Sequence, residues 1–402
     1  MKILCVCAKF PTTIQTWLIN YIKAVENDVE NLDILSLEKG EAEYNERIDS
    51  LNIQRVYTAA DSYVCGYVKS IYFLLALSFK KRLWFFLKNL WACSLTPRMF
   101  VKGLVLIKHL RIEAPDVIHC HSEKAAVFCL PLLLSFRAPI VLTFHGLPPF
   151  GIKDIKSQER DLLLSYVSLV LVNTSFAEKQ IRSLSAVKFK TKIVPQGICI
   201  NEFPFKPNRK PKPSTSLNLL TIGRVDKFKG HEFVLRAIPR LLSKGYQISY
   251  RIIGLGLYKD HLEDIVSTLN LQENVFFLGQ LTGDNLLNEL YSADLFILPS
   301  IHKNGQWAET QGIVIQEAQA CGTLVSASIS GGIPECIEHN KTGFLFTSED
   351  WESIEATIEA VANGSDKLRK LKQRARRDVE ENYTIDKMRD NLLIAYNQIS
   401  KN

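Results

Sequence analysis

The sequence predicts an α/β protein made of two doubly wound parallel-sheet domains that face a central cleft. Three observations carry this. Short Val/Ile/Leu runs alternate with helical segments through both halves of the chain, as in parallel strands covered on both faces. The 402 residues are too many for one ordinary domain and suit two of roughly 200. The stretch FPFKPNRKPKPSTS (203–216) has no periodicity, is rich in proline and basic residues, and reads as a linker.

In the first half, ILCVC (3–7), LDILSL (32–37), DVIHCH (116–121), PIVLTFHG (139–146), LVLVNT (169–174) and KIVPQG (192–197) read as strands. TIQTWLINYIKAVE (13–26) has apolar residues near every 3.6 positions and reads as a helix, as does AAVFCLPLLL (125–134). In the second half, LNLLTIG (217–223), YRIIGLG (250–256), VFFLG (275–279), LFILPS (295–300) and TLVSAS (323–328) read as strands. Helices are expected at 231–245, 261–271 and 286–294, after Glu309, and at 333–340, with a charged helical tail over 351–402. The domains predicted are 1–205, a linker at 206–216, and 217–385. A last helix over 386–402 has a return to the first domain as one arrangement.

Hydrophobic residues make up 47% of the chain, enough for two cores. The nine cysteines contain no CxxC pair, which points to free thiols in a reduced, cytoplasmic protein. The opening MKILCVCAKF is too short an apolar run for a signal peptide and reads as a buried first strand. No eighteen-residue apolar run occurs, so no spanning helix is expected.

The net charge of +7 is concentrated. Between Asp61 and Ile112 stand nine Lys or Arg and one acid. Within that block, Lys80, Lys81, Arg82 and Lys88 are interleaved with Trp84, Phe85, Phe86 and Trp91. Such a helix suits the plane of an anionic membrane surface, so 67–112 is expected to face a membrane. A core helix with a solvated basic face is the plainer alternative. The charge is local and accompanies no nucleic-acid motif, so no nucleic-acid partner is expected.

The most informative segment is AETQGIVIQEAQACGTLVSA (308–327). Glu309 falls on the loop after the strand LFILPS, and Glu317 in the first turns of the helix opening near Ile313. In an open parallel sheet that crevice binds ligands, and helix N-terminal amides beside Gly312 would face an anion. Two carboxylates so spaced can grip hydroxyl-rich groups. A solvated Glu309 and a Glu317 that complements the helix dipole fit the spacing too. In TIGRVDKFKGHEF (221–233), Arg224 and Lys229 follow a strand and precede a helix, which suits a diphosphate site that needs no metal; a solvated basic surface loop is the plainer alternative. Gly254 and Gly256 follow another strand, but the full GxGxxG fingerprint is missing. His145, at a strand's carboxyl end, could donate to a substrate hydroxyl or act as a base, or could be satisfied by backbone. His119 and His121 share one face of a strand, yet no third ligand lies near, and no Asp-x-Asp occurs. No metal site is expected.

Together GRVDKFKG, the Glu-x7-Glu segment, GGIPECIEHNKTGFLF (331–346) and KIVPQGICINEF (192–203) resemble the family-4 retaining glycosyltransferases. KFPTTIQTWLINYI (9–22) is similar to the opening loop of the subgroup that builds exopolysaccharide, colanic acid and O-antigen chains. Two departures stand out: Ile14-Gln15-Thr16 where that loop more often has Ser-Glu-Thr, and Gln196-Gly197-Ile198-Cys199 where Asn-Gly-Ile-Asp is usual. The resemblance implies the GT-B architecture of two Rossmann-like domains. It implies that Arg224 and Lys229 hold the donor diphosphate and that Glu317 binds the ribose. Glu309 would stand beside the donor sugar, with Thr310, Gln311, Gly312 and Ile313 about its hydroxyls and phosphates. Gly254, and the Leu278–Leu281 segment with Gly279 and Leu281, would flank the nucleotide. His145 would reach the sugar from the acceptor domain, and Thr13 and Thr16 would lie near the acceptor. Catalysis would fall to Glu309, His145, Arg224 and Lys229, with a UDP- or GDP-linked sugar as donor and no cofactor. The expected acceptor is a polyprenyl-diphosphate-linked oligosaccharide at the inner face of the cell membrane. Two rivals share the architecture or its binding groups: a sugar-nucleotide epimerase or hydrolase, and a non-catalytic nucleotide-binding scaffold.

Overall fold

The computed structural model describes residues 1–11, 16–40, 51–59, 112–148, 152–206, 215–302, 307–364 and 366–400. Thr13, nearly all of the basic block and most of the linker lie outside these.

Two all-parallel sheets organise the chain. The first has seven strands: β1 (Lys2–Phe10), β2 (Asn31–Lys39), β3 (Arg55–Thr58), β4 (Val117–Cys120), β5 (Ile140–Phe144), β6 (Val167–Val172) and β7 (Thr191–Ile193), in the order β3-β2-β1-β4-β5-β6-β7. The second has six: β8 (Ser216–Ile222), β9 (Gln247–Ile253), β10 (Val275–Gly279), β11 (Leu295–Leu298), β12 (Leu324–Ser328) and β13 (Phe344–Phe346), in the order β10-β9-β8-β11-β12-β13. Both orders reverse beside the first strand, between β1 and β4 and between β8 and β11, which makes these the switch points where ligands enter such sheets.

Among the described residues the helices of the first half are α1 (Thr16–Val25), α2 (Glu123–Leu133), α3 (Ser157–Tyr166) and α4 (Ser175–Ser183). The second half supplies α5 (His231–Ser243), α6 (Lys259–Thr268), α7 (Gly283–Ser292), α8 (Ile313–Cys321), α9 (Trp351–Ala362) and α10 (Asp366–Asn382). The last helix, α11 (Ile385–Ser400), follows. Side chains explain the starts. Ser122 and Thr174 accept hydrogen bonds from the amides of Ala125 and Ala177, each at 3.2 Å, and so cap α2 and α4. Buried Val234, Leu235, Ile238 and Leu241 give α5 its apolar stripe.

Both faces of each sheet carry a core. Leu4, Leu35, Ile118, Leu130 and Phe144 lie on one face of the first sheet, and Ile3, Ile22, Ile34 and Val141 on the other. That second cluster also contains Met388, Leu392, Ala395 and Tyr396 of α11. The end of the chain thus packs on the first sheet, and the Tyr396 hydroxyl lies 3.0 Å from that of Tyr21.

The strands β3 and β13 and the helices α3 and α4 add to the elements expected from the sequence, and one local expectation is corrected. The segment 333–340 is not a helix: only Ile333–Glu335 makes a 3-10 turn. Its later backbone is taken by another turn, where Asn340 has φ 64 and the Glu338 amide donates to Thr342 Oγ1 at 2.9 Å. Seven described cysteines are free thiols, six of them buried. Among the described residues no helix is long and apolar enough to cross a membrane.

Leu392 is 3% exposed. Leu392→Ala should destabilise the protein by about 2–5 kcal/mol, read as a fall in the denaturant midpoint with an unchanged slope.

Candidate active site

The loops that follow β8 and β11 meet at the second sheet's switch point. Gly230 closes the β8 loop in the left-handed region, φ 68. A Cβ there would stand 2.0 Å from the Pro299 carbonyl oxygen, so only glycine lets the two loops approach so closely. The contact brings Lys229 onto Glu309, with its Nζ ion-paired to Oε1. Both side chains are largely buried. A buried pair of this kind costs more to break than to leave alone, because removing one partner strands the other charge. The Trp307 ring lies beneath both cations, 5.0 Å from Lys229 Nζ and 5.7 Å from the Arg224 guanidinium. Arg224 is held by Asp226 at 3.0 Å, and Asp226 also caps the turn through the Phe228 amide.

Gly312, φ 80, starts α8. Among the described residues no acceptor faces the amides of Gly312, Ile313 and Val314, which leaves them as donors for an anion. Glu317, one turn into α8, is buried, and burial raises its carboxyl to about 8, helped by the negative charge of Glu202. It is therefore largely protonated at neutral pH and offers one donor and one acceptor. The charge that bears on Glu317 is Glu202, whereas Glu309 is paired with Lys229. The two glutamates thus sit in different electrostatic surroundings.

Thr310 and Gln311 turn toward the first domain. The Thr174 hydroxyl donates to the Thr310 carbonyl at 2.7 Å, and Asn173 Nδ2 to Thr310 Oγ1 at 3.3 Å. Gln311 Oε1 accepts from the Gln196 amide at 2.7 Å, while its Nε2 donates to the Gln196 carbonyl at 3.0 Å. Glu335 accepts from the amides of Ser175 and Phe176, both at 2.8 Å, and so caps α4 across the domain boundary.

His145 joins this network without touching Lys229 or Glu309. Its carbonyl accepts from Thr310 Oγ1 at 3.4 Å, and its ring lies against Trp17, tilted by 33° with centroids 3.9 Å apart. Burial lowers it to about 3, so the imidazole is neutral at physiological pH and works through hydrogen bonds rather than charge. Thr16 is exposed at the start of α1, and Thr13 lies outside the described residues. Gly254 and Gly279 are joined by a 2.7 Å amide-to-carbonyl bond. A Cβ on Gly254 would lie 1.8 Å from the Gly223 carbonyl oxygen, so loop-on-loop packing alone requires that glycine. Leu281 packs with Leu278, Leu286 and Leu287 against an apolar cluster. Sequence reasoning gave no role to Trp307, Asn173, Thr174 or Glu335, and noted Gln196 only as a departure from the usual Asn. Trp307 carried a signal, a tryptophan two residues before Glu309. Among the described residues no cluster of three metal-ligating side chains occurs.

Cations, helix amides and carboxylates thus gather where the two parallel sheets face each other. Residues 202–378 match the family described as glycosyl transferases group 1, and residues 75–202 match glycosyltransferase family 4. The chain belongs to the family-4 glycosyltransferases of GT-B architecture. An uncharacterized glycosyltransferase of Methanocaldococcus jannaschii is 28% identical over 69% of this chain and 74% of its own length. The colanic acid biosynthesis protein WcaL of Escherichia coli K12 is 24% identical over 95% of this chain and 96% of its own. The crystal structure of Anabaena HepE with UDP superposes with a TM-score of 0.73 at 18% identity, covering 99% of this chain and all of that one.

The raised Glu317 pKa has a definite sign. Between 4.5 and about 8 the folded state holds a proton that the unfolded state releases. Its stabilising contribution is full below 4.5 and is lost as pH rises through about 8, by at most about 1.4 kcal/mol per pH unit. Glu317→Gln should therefore gain in melting temperature over wild type as pH rises from 5 to 8. Parallel pH profiles would refute the assignment.

Proposed function

We propose that this protein transfers a hexose or N-acetylhexosamine, with retention and without a metal ion, from a UDP- or GDP-linked sugar. The acceptor is a polyprenyl-diphosphate-linked oligosaccharide in bacterial surface polysaccharide synthesis. The observation that carries this reading is the Lys229–Glu309 pair at the β8/β11 switch point, with Arg224 and the α8 amides beside it. The relatedness to WcaL, named for colanic acid biosynthesis, and the UDP in the HepE crystals support the pathway class and the donor class.

The chemistry follows from charge. When the bond from the anomeric carbon to the diphosphate oxygen breaks, cationic character develops on the sugar and negative charge on the leaving phosphate. Lys229, Arg224 and the amides of Gly312 and Ile313 stabilise that negative charge in place, as a divalent cation would elsewhere. Donor binding moves Lys229 from Glu309 toward phosphate, and this frees the carboxylate to accept from sugar hydroxyls. In front-face attack the acceptor oxygen bonds to the anomeric carbon while its proton passes to the departing phosphate oxygen. That route requires no carboxylate nucleophile, in keeping with a Glu309 whose carboxylate is taken up by the sugar hydroxyls. Protonated Glu317 serves the ribose hydroxyls. The basic aromatic sequence block around Lys80–Lys88 holds the enzyme on anionic lipid, near its acceptor.

Lys229→Ala and Glu309→Ala should each lower kcat/KM by about 10²–10³-fold, and Lys229→Ala should also abolish the thermal shift given by UDP or GDP. That shift should be indifferent to chelator. Transfer near the wild-type rate by the double variant would remove the reading. Changing Lys80, Lys81, Arg82 and Lys88 to Glu should abolish flotation with anionic vesicles, and unchanged flotation would dispose of the membrane role.

A further inference from the structure

His119, His121 and His145 gather at the carboxyl ends of β4 and β5, beside the β1/β4 switch point of the first sheet. They are not equivalent. His119 uses both ring nitrogens, Nδ1 with the Tyr396 hydroxyl at 2.6 Å and Nε2 with Thr143 Oγ1 at 2.7 Å. It ties α11 to the sheet and has no valence left for a ligand.

His145 and His121 form a directed chain. The side-chain Nε2 of Gln196 can only donate, and it lies 3.1 Å from His145 Nδ1. A neutral His145 therefore carries its proton on Nε2. That atom faces His121 Nδ1 at 3.4 Å, so Nδ1 of His121 accepts and its own proton stands on Nε2. His121 is 6% exposed, and its Nε2 is enclosed with no partner among the described residues. A buried N–H without an acceptor is costly, and such groups concentrate where a ligand completes them. The ring borders a small cavity with Trp17, Tyr21, His145, Asn173 and Gln196. Its free space suits one water-sized group, hence one hydroxyl.

We propose that His121 is a specificity-determining residue whose Nε2–H donates to a single sugar hydroxyl seated in this cavity. The proposal rests on the glycosyl-transfer reading. It adds that the first domain reads one hydroxyl of a sugar, on the donor or on the acceptor. A site built to hydrogen-bond a hydroxyl rejects the analogue that lacks it, and so a residue that only packs and one that reads a hydroxyl differ in what they discriminate.

The test uses the full chain, wild type and His121→Phe, with UDP-glucose and GDP-mannose and their analogues lacking one hydroxyl at a time. Wild type should lose about 10–100-fold in kcat/KM on one deoxy analogue. His121→Phe should lose a similar factor on the intact substrate and nothing further on that analogue, and His121→Gln, which keeps an N–H, should recover part of the rate. His121→Phe removes the unsatisfied Nε2–H but also takes the Nδ1 acceptor from the His145 Nε2–H, so the melting temperature serves only to show that each variant is folded. Slow donor hydrolysis without acceptor separates the two sources. The pattern persists there if the hydroxyl belongs to the donor; otherwise it shows in transfer alone, with deoxy forms of the oligosaccharide acceptor. Wild type that loses no rate on any single-deoxy analogue, or a folded His121→Phe protein that keeps full hydroxyl discrimination, overturns the proposal. Wild type that neither binds nor turns over a nucleotide sugar brings down the glycosyl-transfer reading as well; turnover with undiminished discrimination in His121→Phe brings down this inference alone.

Discussion

Parallel strands place every loop that follows a strand on the same edge of the sheet, and here the two such edges face each other. The contacts between them come from loops of this kind. His145 after β5, Asn173 and Thr174 after β6, and Gln196 after β7 all meet the single loop after β11 that carries Thr310 and Gln311. Gln311 satisfies both backbone groups of Gln196 much as a neighbouring strand would. The loop that bears Glu309 is thus anchored from the opposite domain, and the pose of one carboxylate depends on how the two sheets sit together.

Charge in the cleft is compensated within the protein. Lys229 is neutralised by Glu309, Glu317 keeps its proton, and His119, His121 and His145 are neutral because burial disfavours their cations. Desolvation is the common cause. A diphosphate entering such a site meets cations that exchange one anionic partner for another, so binding requires no new charge to be stripped of water on the protein side. The helix amides of α8 add donors that no described acceptor occupies. Electrostatic stabilisation of a leaving phosphate is strongest in surroundings of this kind, where water competes least.

The first domain is more than a lid. Its core is completed by α11, which arrives from the far end of the chain, and Tyr396 of that helix fixes His119. The histidine pair above it is then oriented by Gln196, whose own backbone is held by Gln311 from the second domain. Residues with no obvious chemistry, a glutamine and a tyrosine, set the tautomers and directions of those that have it.

By itself, the sequence determined the class of fold and most strand and helix positions. Val, Ile and Leu runs covered on both faces leave little freedom of assignment, and Arg224, Lys229, Glu309 and Glu317 sit at fixed offsets from strand ends. It did not reveal the short edge strands β3 and β13, whose few residues carry little periodic signal. It misread 333–340, where a turn at Asn340 competes successfully for the backbone that a helix would use. Only tertiary structure decided which groups meet. The Lys229–Glu309 pair spans eighty residues, Gln196–Gln311 more than a hundred, and His119–Tyr396 nearly three hundred. Contacts of that range leave no local trace in composition or spacing, because their geometry is set by how two sheets pack and not by what stands beside each residue in the chain.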